Sequence, residues 1–227
     1  MSTLVEQHIA GLELSTSLAD TKAWFHRSGL DVVILVQDEL LLGVLDPQFL
    51  FENTEHEEDS ILLSDYILEF PEEVDRHSFV RVNDHLFSLA ETFSHSLYKF
   101  LPLVDHQHKL IGVSSRKDTL EQLCSTLNMD ISGTIVDVML TESTNPISEI
   151  IRLIETEGAQ VYTLSVQQYS SDEYHGKLSM KISSDAASNA IATLERFGYT
   201  VFIPHRDLQR DIDFYERANE LIRLLDL

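Results

Sequence analysis

Residues Lys99–Leu120 read KFLPLVDHQHKLIGVSSRKDTL and contain two apolar runs separated by a polar turn. The apolar runs are Phe100–Val104 and Leu110–Val113, and the turn between them is Asp105–Lys109. Such runs predict two strands joined in a hairpin. The Ser-Ser-Arg-Lys-Asp segment that follows predicts a phosphate-friendly turn that leads into an amphipathic helix.

A second copy of this pattern lies 68 residues earlier in the chain. At that offset, Leu18 falls on Leu86 and Val33 falls on Leu101. One extra turn residue then raises the offset to 69 and places Gly43 on Gly112. Self-similarity of this kind predicts a supersecondary unit that buries its apolar face against its twin.

The segment GVSSRKD at residues 112–118 resembles a motif of the CBS (cystathionine-β-synthase) module. In that family, a strand ending in Leu-Pro-Leu-Val-Asp is followed by Gly-hydrophobic-x-Ser/Thr-x-x-Asp. CBS modules work in pairs, so the two copies together resemble a CBS pair that covers roughly residues 1–128. The resemblance implies tandem βαββα units.

The resemblance also implies a ligand site in the second copy. In CBS pairs that bind adenosine ligands, the motif Asp accepts hydrogen bonds from the ribose, while the Ser/Thr hydroxyl and the helix N-terminus face the phosphate. The base lies between the start of one strand and the Leu-Pro segment of the next. The implied site residues are Ser78, Val80, Leu101, Pro102, Ser115, Arg116, Lys117 and Asp118.

The implied ligands are AMP, ADP, ATP or S-adenosylmethionine, and no permanent cofactor is expected. Arg116 and Lys117 would offset phosphate charge. The alternative is that Asp118 only caps the helix and that Ser115 only closes a turn. In the first copy, Asp46 stands where Ser115 stands in the second, and Phe49 stands where Asp118 stands. We therefore expect the first copy to be structural.

Local signals place the helices of the two copies. Ser17 predicts an N-cap for a helix over Leu18–Ser28 that ends at Gly29. Asn83 or Asp84 predicts the cap of the matching helix in the second copy. A short helix over Ser64–Leu68, ended by Pro71, and a strand over Ser78–Val82 are expected between the copies. A further short helix is expected within residues 1–14, and the acidic stretch Glu52–Asp59 reads as a solvated loop.

Beyond Gly133 the pattern predicts the order βαββαβ, which is ferredoxin-like. The strands are expected at 134–140, 160–169, 175–183 and 199–203, with helices at 146–157 and 186–197, the second capped by Asp185. This part resembles an ACT domain, a fold that often binds amino acids between copies. ACT binders have Pro-Gly where the first helix begins, whereas this chain has Pro146-Ile147. A terminal helix is expected over Asp207–Leu227.

The overall layout is an α/β (α+β) chain with a CBS pair followed by an ACT-like domain. The expected domains are a first CBS motif over 1–70, a second over 71–130, and the ACT-like domain with its terminal helix over 131–227. This layout resembles the acetoin-utilisation regulatory proteins and other bacterial CBS-domain proteins. It implies a regulatory protein that senses a ligand.

Composition limits the remaining classes of function. The chain has 227 residues, is 43% hydrophobic and has a net charge of −22. Such an acidic surface repels nucleic acid and anionic lipid. No run reaches the roughly 20 apolar residues of a membrane span, and the N-terminus lacks the features of a signal peptide. The single Cys124 fits a reducing compartment, so a cytoplasmic location is expected.

The sequence lacks the common catalytic and metal-binding motifs. No Gly-x-Ser-x-Gly elbow, P-loop or Gly-x-Gly-x-x-Gly occurs, and the ten histidines show no metal-ligand spacing, so neither an enzyme nor a metal site is expected. We expect a homodimer formed through both the CBS pair and the ACT-like domain, acting on an unknown protein partner. The alternatives are a ligand-free scaffold protein and an amino-acid sensor that uses the ACT-like domain.

Overall fold

The computed structural model describes residues 11–52, 60–141, 146–168 and 174–204. The chain divides into two compact units, Met1–Ser125 and Thr126–Leu227, and both mix helices with small sheets. The mixed α/β class predicted from the sequence is therefore confirmed. The expected helix within residues 1–14 falls largely outside the described residues, as do most of the acidic stretch Glu52–Asp59 and all of the terminal helix.

The first unit contains one arrangement twice. In chain order its elements are β1 (Leu12–Glu13), α1 (Leu18–Ser28), β2 (Val33–Gln37), β3 (Leu40–Leu45), α2 (Pro47–Glu52), α3 (Leu63–Glu69), a 3-10 turn (Pro71–Glu73), β4 (Val80–Arg81), α4 (Leu86–His95), β5 (Phe100–Val104), β6 (Leu110–Ser115) and α5 (Arg116–Thr126). The first copy is β1-α1-β2-β3-α2 and the second is β4-α4-β5-β6-α5. Each forms a three-stranded sheet with one parallel and one antiparallel pair.

The strand register repeats at the predicted offset. Leu12 pairs with Leu35 in the first sheet, and Val80 pairs with Leu103 in the second, so both partners shift by 68 residues. A register irregularity follows Leu35 in the first hairpin and Leu103 in the second. The internal repeat inferred from the sequence is therefore present in the backbone itself.

The two hairpins contact each other through a matched pair of backbone hydrogen bonds. The N–H of Leu41 donates to the carbonyl of His108, and the N–H of Leu110 donates to the carbonyl of Glu39, both at 3.0 Å. Each bond maps onto the other at an offset of 69. Glu39 and His108 both adopt a left-handed backbone, with φ of 67° and 66°. The copies are thus related by an approximate twofold axis.

The helix caps agree with the sequence in the first copy and differ in the second. Ser17 caps α1 by accepting the N–H of Asp20 at 3.1 Å, and Gly29 ends the helix with φ of 70°. The predicted cap of α4, Asn83 or Asp84, is wrong. His85 occupies that position, and its Nδ1 accepts the N–H of Phe87 at 3.2 Å. Asp84 cannot cap the helix because its carboxylate accepts the N–H of Arg81 at 2.8 Å.

Three apolar clusters hold the first unit together. One lies between the first sheet and its helices, a second lies between the second sheet and α4, and a third combines residues of both copies. In α1, Leu18 is buried and Trp24 and Phe25 are partly buried, whereas Ala19 is exposed. Thr21 is buried instead, and its hydroxyl is satisfied because it donates to the carbonyl of Ser17 at 2.9 Å.

The second unit is a four-stranded antiparallel sheet with two helices. Its elements are β7 (Thr134–Leu140), α6 (Ile147–Thr156), β8 (Val161–Gln168), β9 (Gly176–Ile182), α7 (Ala187–Arg196) and β10 (Val201–Phe202). The strand order β10-β7-β9-β8, with every pair antiparallel, is that of the predicted ferredoxin-like fold. None of the described helices is long and apolar enough to cross a membrane.

The start of α7 differs from the sequence prediction. Asp185 does not cap this helix, because Ala186 occupies the N-cap and no side chain accepts a bond there. The N–H of Ala187 instead donates to the carbonyl of Ser184 at 3.3 Å. The helix is stabilised by its buried face, which packs Ala190, Ile191 and Leu194 against the sheet.

Candidate functional site

The candidate site is the junction between β6 and α5. The sequence predicted a turn through residues 114–118, but the structure has none. β6 ends at Ser115 and α5 begins at Arg116, with no residue between them. The strand therefore delivers Ser115 directly to the first turn of an eleven-residue helix.

Ser115 closes the start of this helix. Its side chain is almost fully buried, and its hydroxyl accepts the N–H of Asp118 at 3.3 Å. Its carbonyl accepts the hydroxyl of Thr119 at 2.9 Å. The capping group is thus Ser115 and not Asp118, which leaves the carboxylate of Asp118 available for other contacts.

Asp118 and Lys117 are the groups of the junction that reach solvent. Asp118 is partly exposed, and its carboxylate has no hydrogen-bond or ion-pair partner within the part of the chain that the structure describes. Lys117 is largely exposed, and its Nζ lies 3.6 Å from Oε1 of Glu121 one turn later. An exposed pair at this distance is weak, so Lys117 is free to meet an anion.

Arg116 is bonded to backbone carbonyls of the segment between α4 and β5. Its Nη2 donates to the carbonyls of Ser96 and Tyr98 at 2.6 and 2.8 Å, and its backbone N–H donates to Lys99 at 2.8 Å. Its Nε is buried without a hydrogen-bond partner among the described residues. The guanidinium therefore ties the segment between α4 and β5 to the start of α5.

The predicted apolar walls of the site lie inside the core. Leu101 and Val80 have exposed fractions of 0% and 1% and pack in one cluster with Leu89 and Phe93. Pro102 is also buried and lies opposite Val113 in the ladder. These side chains support the junction from within, and the structure does not bring them to an exposed surface beside Asp118.

Ser78 is held by a carboxylate ahead of β4. Oδ1 of Asp75 accepts the N–H of His77 at 2.8 Å and the N–H of Ser78 at 3.1 Å. Burial raises the pKa of Asp75, but hydrogen bonds from the Ser78 side chain and from these two N–H groups outweigh it, so the pKa of Asp75 lies below its ordinary value. The ionised carboxylate fixes the chain before β4.

At the matching junction of the first copy, an acidic residue replaces the serine of the second copy. Asp46 takes the place of Ser115 and accepts the N–H of Gln48 at 2.8 Å. The side chain of Phe49, which matches Asp118, lies outside the described residues. Burial, and then the carboxylates of Asp46, Asp75 and Asp31, raise the pKa of Tyr98 to about 12. The negative charges of several carboxylates therefore reach the Tyr98 hydroxyl.

Sequence reasoning missed Asp31, which joins the two copies. Its carboxylate accepts the N–H of Lys99 at 2.7 Å and the N–H of Phe100 at 3.2 Å. Asp31 and Lys99 are equivalent positions of the repeat, 68 residues apart, so the repeat could have been used to predict that they meet. A pair of equivalent residues near a twofold axis is expected to lie close together.

Among the described residues, no group of three or more His, Cys, Asp or Glu side chains is placed to hold a metal ion.

No protein-family model and no curated protein match the chain. Among solved structures, the chain is similar to a CBS domain pair/ACT domain protein from Thermotoga maritima, with 21% identity over 54% of this chain and 93% of that one, and a TM-score of 0.45. A CBS-pair protein from Arabidopsis thaliana is 18% identical over 56% of this chain and 93% of its own, with a TM-score of 0.42.

A third similar structure is the CBS domain of a bacterial CNNM/CorC family Mg²⁺ transporter in complex with ATP. It is 16% identical over 51% of this chain and 79% of that one, with a TM-score of 0.41. All three of these solved structures are named for CBS domains, and each likeness spans about half of this chain.

Proposed function

We propose that the chain is a regulatory protein whose first unit is a CBS pair that binds one adenine nucleotide or adenosyl compound at the β6–α5 junction. The observation that carries this proposal is the carboxylate of Asp118. It is partly exposed and unpartnered within the described residues, and it lies in the first turn of α5 beside the capping hydroxyl of Ser115. A carboxylate accepts hydrogen bonds from two ribose hydroxyls, and a helix N-terminus attracts a phosphate.

The charges at the junction favour a ligand with little negative charge. Of the two predicted cations, Arg116 is engaged with backbone carbonyls, and Lys117 is exposed. The net charge of −22 opposes any polyanion, and one lysine offsets little of it. AMP and S-adenosylmethionine are therefore better candidates than ADP or ATP.

The first copy does not contribute a matching site in this proposal. Asp46 replaces the Ser115 hydroxyl, and a phosphate placed there would meet a carboxylate. The carboxylates around Tyr98 add to the same field. We expect one ligand per chain, with the first copy providing the packed support against which the second is held.

The ligand would regulate a protein partner by favouring one arrangement of the chain over another. Binding shifts such an equilibrium only by its difference in affinity for the two arrangements. The chain would act as a homodimer and without catalysis of its own. Its partner is a protein, since the charge of the chain disfavours nucleic acid.

The test is a thermal-shift screen followed by calorimetric titration of the full chain. A ligand at 100 times its dissociation constant stabilises the folded state by about 2.7 kcal/mol. We expect a shift with AMP or S-adenosylmethionine and a loss of affinity of about tenfold or more in Asp118→Ala, because a charge-assisted hydrogen bond contributes about 1.5 kcal/mol or more. Glu155→Ala is the control, since it removes an exposed carboxylate from α6 of the second unit and should keep the wild-type affinity.

Other outcomes would redirect the assignment. Equal affinity in Asp118→Ala and wild type would rule out this junction as the site. A shift with an amino acid alone would move the site to the second unit, where Ile147 occupies the position that is Gly in ACT binders and packs against the core. No shift with any compound would favour the ligand-free scaffold.

A further inference from the structure

The sheet of the second unit has one face covered by helices and one open face. On β7, Val136 and Val138 belong to the core cluster that α6 and α7 cover, so Ile135 lies on the open face. On the neighbouring strand β10, Phe202 lies opposite Asp137 and shares that face. Within the described part of the chain, Ile135 and Phe202 are 39% and 46% exposed. The open face therefore has an apolar area on its β7–β10 side.

Two more apolar side chains lie beside the start of β7. Met129 and Ile131 are both exposed and belong to the turn before this strand. The turn is held on the sheet by the buried Lys181, whose Nζ donates to the carbonyls of Asn128 and Met129 at 3.0 Å each. Lys181 also pairs with Ile135 in the strand ladder. We call the apolar surface formed by Met129, Ile131, Ile135 and Phe202 the open-face patch.

The charges on this face do not oppose an apolar partner. Oδ2 of Asp137 lies 3.2 Å from Nζ of Lys177, and both side chains are mostly buried, so the two charges offset each other. Lys181 is engaged with the two carbonyls of the turn. Farther from β10, the open face has small uncharged side chains such as Ser165 and Ser179, which pair across β8 and β9. Apolar contact on this face is therefore concentrated at the open-face patch.

The chain leaves the described residues next to the open-face patch. β10 runs antiparallel to β7 and Phe202 pairs with Asp137, so the chain moves toward the start of β7, and therefore toward Ile135, as it passes Phe202. The last described residue is Pro204. Residues 205–227 therefore continue the chain from a point beside this patch.

The sequence of residues 205–227 has an apolar side and a charged side when it is read with a helical period. Apolar residues recur at helical spacing, at Leu208, Ile212, Tyr215 and Ile222. Arg210 and Arg217 fall on the opposite side. A helix of about 20 residues is about 30 Å long, whereas the outer strands of a four-stranded sheet lie about 14 Å apart. The segment is therefore long enough to cross the sheet.

We propose that residues 205–227 fold back as a helix that covers the open-face patch of the same chain. The second unit would then have helices on both faces of its sheet. A segment attached beside the patch has a high effective concentration there, whereas a second copy is repelled by the net charge of −22. The inference goes beyond the proposed function and does not depend on nucleotide binding.

The test is the alkylation rate of a single cysteine on the open-face patch in the full chain. Cys124→Ser removes the native thiol, and Ile135→Cys places a thiol on the patch. Ile212→Asn combined with Ile222→Asn then makes the apolar side of the segment polar. We expect this pair of changes to raise the alkylation rate about tenfold or more, because a covered thiol reacts only after its cover opens.

Arg210→Asn combined with Arg217→Asn is the matched control. It places the same two side chains on the charged side of the segment and should leave the alkylation rate unchanged. Phe197→Cys controls for the reagent, because Phe197 is exposed at the end of α7 and its thiol should react fast in every background. Phe202→Cys repeats the measurement at a second position of the patch, and thermal unfolding checks that each variant is folded.

Two results would overturn the inference. The first is an alkylation rate at both patch positions that is the same with and without Ile212→Asn and Ile222→Asn, since the segment would then not cover this face. The second is a protection of the thiol that is lost on dilution, since a second copy would then supply the cover. Neither result bears on Asp118, so a failed cover and a failed nucleotide site are distinguishable.

Discussion

The two copies in the first unit share one backbone and differ in the side chains at equivalent positions. Leu45 and Leu50 of the first copy are 1% and 0% exposed and belong to its helix-facing cluster. The equivalent residues of the second copy are Ser114 and Thr119, which are just as buried. The strand register is the same in both. The two copies therefore share their backbone pairing and differ in the chemistry of equivalent buried side chains.

The difference continues at the strand-to-helix junctions. The first copy has the carboxylate of Asp46 there, and the second has the hydroxyl of Ser115 followed by the accessible Asp118. On either side of Asp46 the first copy buries the apolar Leu45 and Leu50, while the second copy buries hydroxyl-bearing side chains at the equivalent positions. The two junctions therefore differ in their polar groups although their strands have the same register.

The largest effect is expected from making the first copy like the second at one buried position. Leu45→Ser removes a fully buried side chain and buries a hydroxyl, so unfolding free energy should fall by about 4 kcal/mol. Chemical denaturation of the full chain measures it. A loss below about 1 kcal/mol would show that this cluster does not support the unit.

The contact between the copies should have an intermediate effect. Asp31→Ala leaves the N–H groups of Lys99 and Phe100 without their acceptor and should cost about 2 kcal/mol. Lys99→Ala changes the equivalent position of the other copy, where the side chain is exposed, and should cost less than about 0.5 kcal/mol. Denaturation midpoints compare the two variants. Equal costs would mean that Asp31 does not join the copies.

The smallest effect is expected at Ser114, and it should be stabilising. Its hydroxyl is buried, and no hydrogen-bond partner for it exists in the described part of the chain. Ser114→Ala removes that hydroxyl and should raise the unfolding free energy by about 1 kcal/mol. The same denaturation experiment checks it. A destabilised Ser114→Ala would mean that the hydroxyl has a partner in solution, such as a water molecule.

Much of the fold was predictable because its signals are local. The helix over Leu18–Ser28 and the strand over Thr134–Leu140 have the predicted ends. Each is bounded by residues with clear preferences, such as Ser17 and Gly29 for the helix. The repeat was also predictable, since equal spacing of apolar residues implies equal structure.

The predictions of helix caps and of the Arg116 contact were wrong or incomplete where a polar side chain could form a hydrogen bond with more than one neighbour. Asp84 and Asp185 are good caps by type, but Asp84 bonds to Arg81 and Asp185 lies one residue before the N-cap of α7. Arg116 has the right charge for a phosphate, but its guanidinium bonds to the carbonyls of Ser96 and Tyr98. The type of a residue indicates which bonds its side chain can form, but it does not indicate which partner the side chain will bond to.

The order of the elements, the repeat and the two candidate junctions can be predicted from the sequence, because they follow from apolar spacing and glycine positions along the chain. Which polar groups of the second junction have no partner among the described residues depends on how the chain folds in three dimensions. Arg116 is drawn inward by carbonyls that lie 18 and 20 residues away in sequence, and Ser115 takes the cap that Asp118 could have formed. Hydrogen bonds are short-ranged and directional, so their partners are fixed only once the chain has brought them together.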